Sequence, residues 1–243
     1  MPRAEARDVR VEHDLLGDRE IPAHAYWGVH TLRAVENFPI TGRWIGLWPE
    51  LVRALALVKH AAAQTNYELG LLDETKAKLI IAACREIADG ALHDEFVVDM
   101  IQGGAGTSTN MNANEVIANR ALELAGRKKG DYAFLHPIEH VNMAQSTNDV
   151  YPTALRLALR FALVDLIAAM EELKVAFAAK SVEFRDLLKV GRTQLQDAVP
   201  MTLGQEFSTF AVMLGEDQQR LAEAGALIEE INLGATAIGT GIN

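Results

Sequence analysis

The chain contains few cysteine, proline and aromatic residues, and each of these shortages excludes some classes of protein. Its 243 residues include one cysteine, 7 prolines and 6% aromatic residues. A single cysteine excludes intrachain disulfides and thiolate metal sites. No uncharged apolar run reaches the ~18 residues of a membrane helix, and the charged N-terminus lacks an apolar signal region. These features predict a soluble, cytoplasmic protein that does not interact with membranes.

Positive charge is also scarce. The chain has 33 acidic and 23 basic residues, which give a formal net charge of −10. Such a balance argues against binding to nucleic acid or to an anionic membrane surface. An anionic substrate would need local positive potential that works against this overall field.

Hydrophobic residues and helix formers are abundant, at 49% for the hydrophobic set. A chain of this length and composition can bury a substantial core, and it favours an all-α architecture. We expect helices from Pro49 towards Gly70, from an Asp73 cap to Gly90, and over 114–124. The lone Cys84 lies in an apolar stretch and is expected to fill the core. Residues 1–48 show little periodicity and are expected to be irregular.

The second half of the chain has a different pattern. From Pro152 to about Arg185, apolar residues recur every three or four positions, which is typical of helix bundles. A polar segment at 191–200 follows, and Thr202 with Gln205 forms a capping box that opens a second long helix. The two helices predict an antiparallel hairpin whose apolar stripes need covering by further helices or subunits. We therefore expect an N-terminal helical domain at 1–145, followed at 146–243 by the first, incomplete part of an oligomeric central bundle.

Three polar segments precede or join helices, at 103–112, 146–148 and 192–197. They are rich in hydroxyls and amides and poor in Lys, His and Cys. The first has a glycine-rich start, but no Gly-Lys-Ser/Thr follows, and a Gly-x-Ser-x-Gly elbow is absent. In the second, Asp149 is expected to cap the helix, with Pro152 in its first turn.

Each polar segment alone is compatible with an ordinary helix cap. Together, neutral donors at helix N-termini suit the recognition of carboxylates. These segments lack the residues that metal-dependent hydrolysis, phosphoryl transfer or Ser-His-Asp acyl transfer would require. The residues thus predict a dicarboxylate-type site without naming a reaction.

His136 and His140 are spaced like two metal ligands on one helix face. Pro137 lies between them, however, and the pattern does not match His-Glu-x-x-His. We expect no metal site there.

Longer motifs carry a resemblance to a known family. Residues 103–112 (Gly-Gly-Ala-Gly-Thr-Ser-Thr-Asn-Met-Asn), 140–149 (His-Val-Asn-Met-Ala-Gln-Ser-Thr-Asn-Asp) and 191–201 (Gly-Arg-Thr-Gln-Leu-Gln-Asp-Ala-Val-Pro-Met) resemble signature regions of the aspartase/fumarase superfamily. The match is collinear from about Val11 to Asn243. Within the superfamily, residues 26–33 and 232–241 are most similar to the aspartate ammonia-lyase branch.

The resemblance implies a reversible elimination of ammonia from L-aspartate that gives fumarate and uses no cofactor. A base removes a Cβ proton, and the adjacent carboxylate becomes an aci-carboxylate before the amine departs. By position, Thr107, Ser146 and Thr147 would donate hydrogen bonds to that carboxylate. The substrate's amino group and other carboxylate would be held by Asn148 and Thr193.

Two departures from the family pattern qualify this expectation. Class II fumarases typically have His-Thr where this chain has Gln194 and Leu195, and an amide can orient substrate but cannot shuttle protons. The family's third signature, Gly-Ser-Ser-x-Met-x-x-Lys-x-Asn, carries the serine base and is absent from residues 1–243.

The resemblance further implies a homotetramer in which three subunits share each active site. Residues 1–243 are thus expected to be the N-terminal part of a longer enzyme and to be inactive alone.

Two alternatives remain open at this point. One is a class II fumarase or another superfamily lyase that acts on a different succinyl compound. The other is a non-catalytic helical scaffold, since the apolar stripes alone predict self-association.

Overall fold

Helices form most of the protein, and two short β-hairpins accompany them. The structure is a computed structural model, and it describes residues 8–242. The all-α prediction is confirmed in its main feature. In chain order the principal elements are β1 (Val9–Asp14), β2 (Gly17–Pro22), α1 (Val29–Asn37), α2 (Pro49–Glu68), α3 (Glu74–Ala88), α4 (Thr107–Leu124), α5 (Thr147–Glu183), β3 (Leu188–Thr193), β4 (Gln196–Thr202) and α6 (Leu203–Leu227).

Two compact units divide the described chain. The first unit comprises residues 8–158 together with 231–242, and the second comprises residues 159–230.

The expectation of an irregular segment at 1–48 is wrong, because an N-terminal hairpin and helix α1 form there; the first seven residues lie outside the described part. Strands β1 and β2 pair antiparallel, with Val9 opposite Pro22. The Arg10 guanidinium holds residues 22–27 in place. It donates to the carbonyls of Pro22 at 3.0 Å, Ala25 at 2.7 Å and Trp27 at 2.6 Å. These contacts join a charged side chain to backbone carbonyls and leave no pattern of apolar residues. Hydrophobic periodicity therefore did not predict the ordered structure.

Helices α2 and α3 begin as predicted. Pro49 occupies the first turn of α2, where its missing N–H costs nothing. Asp73 caps α3 by accepting from the backbone N–H groups of Thr75 at 2.9 Å and Lys76 at 3.1 Å. Cys84 on α3 is fully buried, as expected for a core residue, and burial raises the pKa of its thiol to about 12.

Helix α4 starts at Thr107 rather than at Asn114. The Thr/Ser/Asn run that was expected to precede the helix therefore forms its first turns. Such residues usually compete with helical hydrogen bonds. Here Asn112 is fully buried and its amide donates to the Glu95 carbonyl at 3.0 Å, so that side chain is engaged in tertiary contacts instead.

Two buried carboxylates hold the start of α1. Glu115 on α4 accepts from the backbone N–H groups of Gly28 at 2.8 Å, His30 at 2.9 Å and Thr31 at 3.1 Å. Glu12 on β1 accepts from the Val29 N–H at 2.9 Å. Because the first N–H groups of a helix lack internal partners, these carboxylates join β1, α1 and α4 into one structure.

A methyl group at Gly28 has no room beside those carboxylates. A Cβ at this position would overlap Glu12 Oε2 and lie 2.7 Å from the Tyr132 hydroxyl. We expect Gly28→Ala to lower the free energy of unfolding by about 2 kcal/mol through overpacking, measured by thermal unfolding. Gly215→Ala is the matched control, since its Cβ would meet its nearest neighbour at an ordinary 3.7 Å and alanine favours a helix. Equal stability for the two variants would contradict this steric account.

The second unit consists of the remainder of α5, the β3–β4 hairpin and α6. The capping box predicted at Thr202 and Gln205 is present. Phe177 on α5 lies with its ring centroid 5.8 Å from Phe207 and 5.4 Å from Phe210 on α6, so the two predicted stripes meet. Leu166 and Leu173 nevertheless remain 48% and 47% exposed. The two helices alone therefore leave the apolar stripes partly exposed, which confirms the prediction that the stripes need further cover.

Within residues 8–242, none of the helices combines the length and apolar composition that crossing a membrane would require.

Candidate active site

Helix α5 begins at Thr147 and is capped by Ser146, so the expectation that Asp149 is the cap is wrong. The Ser146 hydroxyl accepts from the Asn148 backbone N–H at 3.2 Å and from its side-chain amide at 3.3 Å. Fully buried Asp149 lies inside the first turn, where its Oδ2 accepts from the Ser146 N–H at 3.0 Å. Pro152 consequently lies in the second turn rather than in the first. Ser146, Thr147 and Asn148 stand together at a helix N-terminus, where partial positive charge is concentrated.

The Thr147 hydroxyl is tied to helix α4. Asn110, one turn into α4, donates from its side-chain amide to Thr147 Oγ1 at 3.1 Å and to Asn142 Oδ1 at 3.0 Å. A hydroxyl has one proton and two lone pairs. Since Thr147 accepts from Asn110, its proton is left to donate elsewhere.

A buried lysine supports this arrangement through two hydrogen bonds. Lys59 on α2 is fully buried, and its Nζ donates to Asn142 Oδ1 at 2.7 Å and to Gln145 Oε1 at 2.9 Å. Burial lowers the pKa of Lys59 well below its usual value. Gln145 directly precedes Ser146, so the lysine fixes the chain at the point where it enters α5.

The glycine-rich segment leads into α4 beside the same place. Gly104 and Gly106 have positive φ angles of 78° and 87°, a conformation that favours glycine. A Cβ at Gly106 would overlap the ring of Tyr151 on α5, so the two helix starts approach closely there. Thr107 follows as the first, exposed residue of α4, and α4 has no side-chain cap. The structure therefore brings Thr107 and the 146–148 segment to two neighbouring helix N-termini.

A cavity of about 580 Å³ opens beside these N-termini within the first unit. It is lined by the glycine-rich segment, by the start of α5 and by the segment near residue 235; the lining includes Gly104, Gly106, Asn148, Tyr151, Asn232 and Thr236. Asn148 is the predicted site residue that lines it directly. The volume suits a small organic molecule.

Thr193 and Gln194 belong to the second unit, at the tip of the β3–β4 hairpin. The polar crossing at 191–200 was not expected to form strands, but Thr193 pairs with Gln196 across a two-residue turn. The turn residues Gln194 and Leu195 have φ angles of 50° and 61°, although neither is glycine. Backbone strain of this kind costs on the order of 1 kcal/mol per residue and often marks functional segments. Both side chains are exposed.

The two histidines of the metal-like spacing have other partners. His136 Nδ1 accepts from the backbone N–H of Ile138 at 3.1 Å, and His140 Nδ1 accepts from that of His136 at 2.8 Å. Lys76 Nζ lies 2.8 Å from His140 Nε2. In the described part of the chain, no group of three or more His, Cys, Asp or Glu side chains could hold a metal ion.

Sequence reasoning missed the residues that support the site. Lys59, Asn110, Asn142 and Gln145 form one network of side-chain hydrogen bonds, and Asn232 contacts the start of α5. A usable signal existed for Lys59, because it interrupts an otherwise apolar stretch of α2. The asparagines gave no such signal, since their partners are distant in sequence.

Known proteins are similar to this chain in sequence and in fold. A family model described as Lyase matches residues 17–243. Aspartate ammonia-lyase of Pseudomonas aeruginosa is 61% identical over 235 residues, which are 96% of this chain and 50% of the relative. Aspartate ammonia-lyase of Escherichia coli is 54% identical over 239 residues, which are 98% of this chain and 50% of the relative. The chain thus spans about half the length of the curated relatives it matches.

Solved structures of related proteins have a similar fold. The fumarate lyase:delta crystallin from Brucella melitensis bound to cobalt superposes with a TM-score of 0.93 at 60% identity, covering 97% of this chain and 51% of that one. The class II fumarase from Schistosoma mansoni gives 0.87 at 36% identity, covering 96% and 49%. With the motifs, the helical fold and the family match in agreement, the chain belongs to the lyase family.

Proposed function

We propose that the protein carrying this chain is an aspartate ammonia-lyase, which reversibly eliminates ammonia from L-aspartate to give fumarate. One observation carries the proposal: the hydroxyls of Ser146 and Thr147 already accept hydrogen bonds from Asn148 and Asn110. Their protons are therefore free to donate to a carboxylate, which only accepts. The identity of 54–61% to aspartate ammonia-lyases supports the choice of aspartate.

The proposed reaction depends on stabilising one intermediate. A base removes a proton from Cβ, and the bonding electrons move onto the adjacent carboxylate, which becomes a doubly negative aci-carboxylate. Those electrons then return to form the Cα–Cβ double bond as the amine leaves with its own bonding pair. Thr107, Ser146 and Thr147 donate to the carboxylate as its charge grows. Preorganised donors of this kind stabilise charge without reorganising.

The remaining roles concern binding. Asn148 and Thr193 hold the amino group and the other carboxylate of the substrate, and Gln194 orients it through its amide. An amide does not titrate, so Gln194 takes no part in proton transfer. The strained φ angle of Gln194 supports a functional reason for the turn.

The proposal extends to parts that residues 1–243 do not supply. The base is a serine in the Gly-Ser-Ser-x-Met-x-x-Lys-x-Asn signature, and three subunits of a homotetramer assemble each active site. The exposed apolar side chains of the second unit, such as Leu166 and Leu173, supply surface for such assembly. The division into an N-terminal domain at 1–145 and the start of a central bundle at 146–243, the cytoplasmic location and the need for no cofactor stay predictions.

Kinetics on the complete protein test the proposed substrate. We expect kcat/KM for L-aspartate to exceed that for malate and for argininosuccinate by at least about 100-fold, because a site built to hydrogen-bond one substrate strongly rejects an analogue that lacks the matching group. The measurement is the formation of fumarate, followed by its ultraviolet absorbance. A preference for malate would favour the class II fumarase alternative, to which the 36% identical structure is similar.

The 243-residue chain provides a companion test. If the base lies on the missing signature, this chain alone should form no fumarate from aspartate. Clear turnover by the purified 243-residue chain would contradict the proposed location of the base.

A further inference from the structure

The segment from Asn232 to Ala237 has no role in the reaction outlined above, yet it contacts the start of α5 twice. The Asn232 side-chain amide donates to the Asn148 backbone carbonyl at 2.8 Å. The Thr236 backbone N–H donates to Asp149 Oδ1 at 2.6 Å. Asp149 is fully buried and also accepts from the Ser146 N–H through its other oxygen. The segment is therefore attached to two consecutive residues in the first turn of α5.

The Asn148 carbonyl is available to Asn232 because of Pro152. In a helix this carbonyl would accept from the N–H four residues later, and that residue is Pro152, which has no N–H. A carbonyl without a partner in a partly buried place is costly. Asn232 supplies the missing donor from a distant part of the chain.

The same segment forms part of the cavity wall. Asn148, Pro152, Asn232, Thr236 and Ala237 all line the 580 Å³ cavity. Thr236 has a φ angle of 60°, an unusual conformation for a residue that is not glycine. The backbone strain thus occurs where the segment reaches Asp149.

We propose that Asn232 is a positioning residue for Asn148: its amide holds the carbonyl that Pro152 leaves without a helical donor, and so fixes Asn148 at the cavity wall. The inference rests on the proposed function, in which Asn148 binds substrate. In this role Asn232 acts through Asn148 and not on the reacting atoms. It acts by keeping the first turn of α5 in one geometry, which matters because small displacements of a binding group cost large factors in rate.

A double-mutant cycle tests the inference in the complete protein. Asn232→Ala leaves the Asn148 carbonyl without a donor, and we expect kcat/KM for aspartate to fall about tenfold, mainly through a higher KM. Pro152→Ala restores an N–H to the helix, so the carbonyl regains a partner. In the Pro152→Ala background, Asn232→Ala should therefore lower kcat/KM by less than about threefold, which is a coupling between the two sites.

A second amide separates positioning from general stability. Asn119 on α4 donates to the Tyr26 carbonyl at 2.7 Å, a bond of the same kind, and Asn119 is not among the residues that line the cavity. Asn119→Ala should lower the melting temperature while leaving kcat/KM of the folded enzyme unchanged. If Asn232→Ala behaves in the same way, or if its effect is equal in both backgrounds, the positioning role is refuted.

The outcome is distinguishable from failure of the proposed function. A wild-type protein that does not convert aspartate refutes the proposed activity. A wild-type protein that converts aspartate, with an Asn232→Ala variant of equal KM and kcat, refutes only the role of Asn232.

Discussion

Replacing Thr147 with valine in the complete protein should lower kcat/KM for aspartate by about 100- to 1,000-fold, the loss expected when one donor to a developing oxyanion is removed. Valine keeps the shape of threonine and removes only the hydroxyl. The Asn110 amide keeps its second acceptor, Asn142 Oδ1, so the fold should be little changed. Steady-state kinetics on aspartate and thermal unfolding of the same samples measure the two effects.

The chain offers a matched control on the same helix. Thr153 is buried, and its hydroxyl has no hydrogen-bond partner. Thr153→Val removes an unsatisfied buried hydroxyl, so it should leave kcat/KM unchanged and keep or raise the melting temperature. If both valine variants lose activity equally, the loss at Thr147 reflects disturbance of α5 rather than removal of a donor.

Replacing Lys59 with methionine should have the second largest effect on activity. The substitution removes the donor of Gln145 Oε1 and one donor of Asn142 Oδ1 beneath the start of α5. Gln145 adjoins Ser146, so loosening its side chain should displace the hydroxyls that are proposed to donate to the substrate. We expect kcat/KM to fall by about 100-fold, as for misplacement of a catalytic group.

Stability should respond less than activity to the same change. Methionine leaves two amide oxygens with fewer donors but also removes a buried amine, and these effects oppose each other. We expect the free energy of unfolding to change by about 2 kcal/mol or less. Lys189→Met serves as the control, because the side chain of that lysine is 31% exposed and pairs with Glu206 in the second unit. This substitution should cost no more than about 1 kcal/mol of stability and should leave activity unchanged. Wild-type activity in Lys59→Met would contradict the supporting role of the buried network.

Local and periodic features could be predicted from the sequence. The stripe on α5 and α6, the Asp73 cap and the Thr202 capping box are local patterns, and the structure confirms them. The two hairpins could not be predicted in this way. The first is fastened by an arginine that binds backbone carbonyls, and the second turns through Gln194 and Leu195 where Asn-Gly would be the usual signal.

The candidate site shows the same limit. The hydroxyl and amide residues at 146–148 were recognisable because they occur at the start of a helix. The cap was predicted at Asp149 rather than at Ser146, since both side chains can cap. In the structure Asp149 accepts instead from the backbone N–H groups of Ser146 and of the distant Thr236. Lys59, Asn110 and Asn232 act on the site through contacts between residues 37 to 86 positions apart in the chain, so no local pattern contains them.

The most direct test of the central claim is the affinity of the complete protein for the nitronate form of nitropropionate, measured by inhibition of aspartate turnover. The nitronate places two negatively charged oxygens where the aci-carboxylate would form, whereas succinate resembles only the ground state. If uncharged donors at the two helix N-termini stabilise the growing charge, the nitronate should bind at least about 100-fold more tightly than succinate, and Thr147→Val should remove most of that advantage. Equal affinities for the two ligands, or an advantage unchanged in Thr147→Val, would contradict the account.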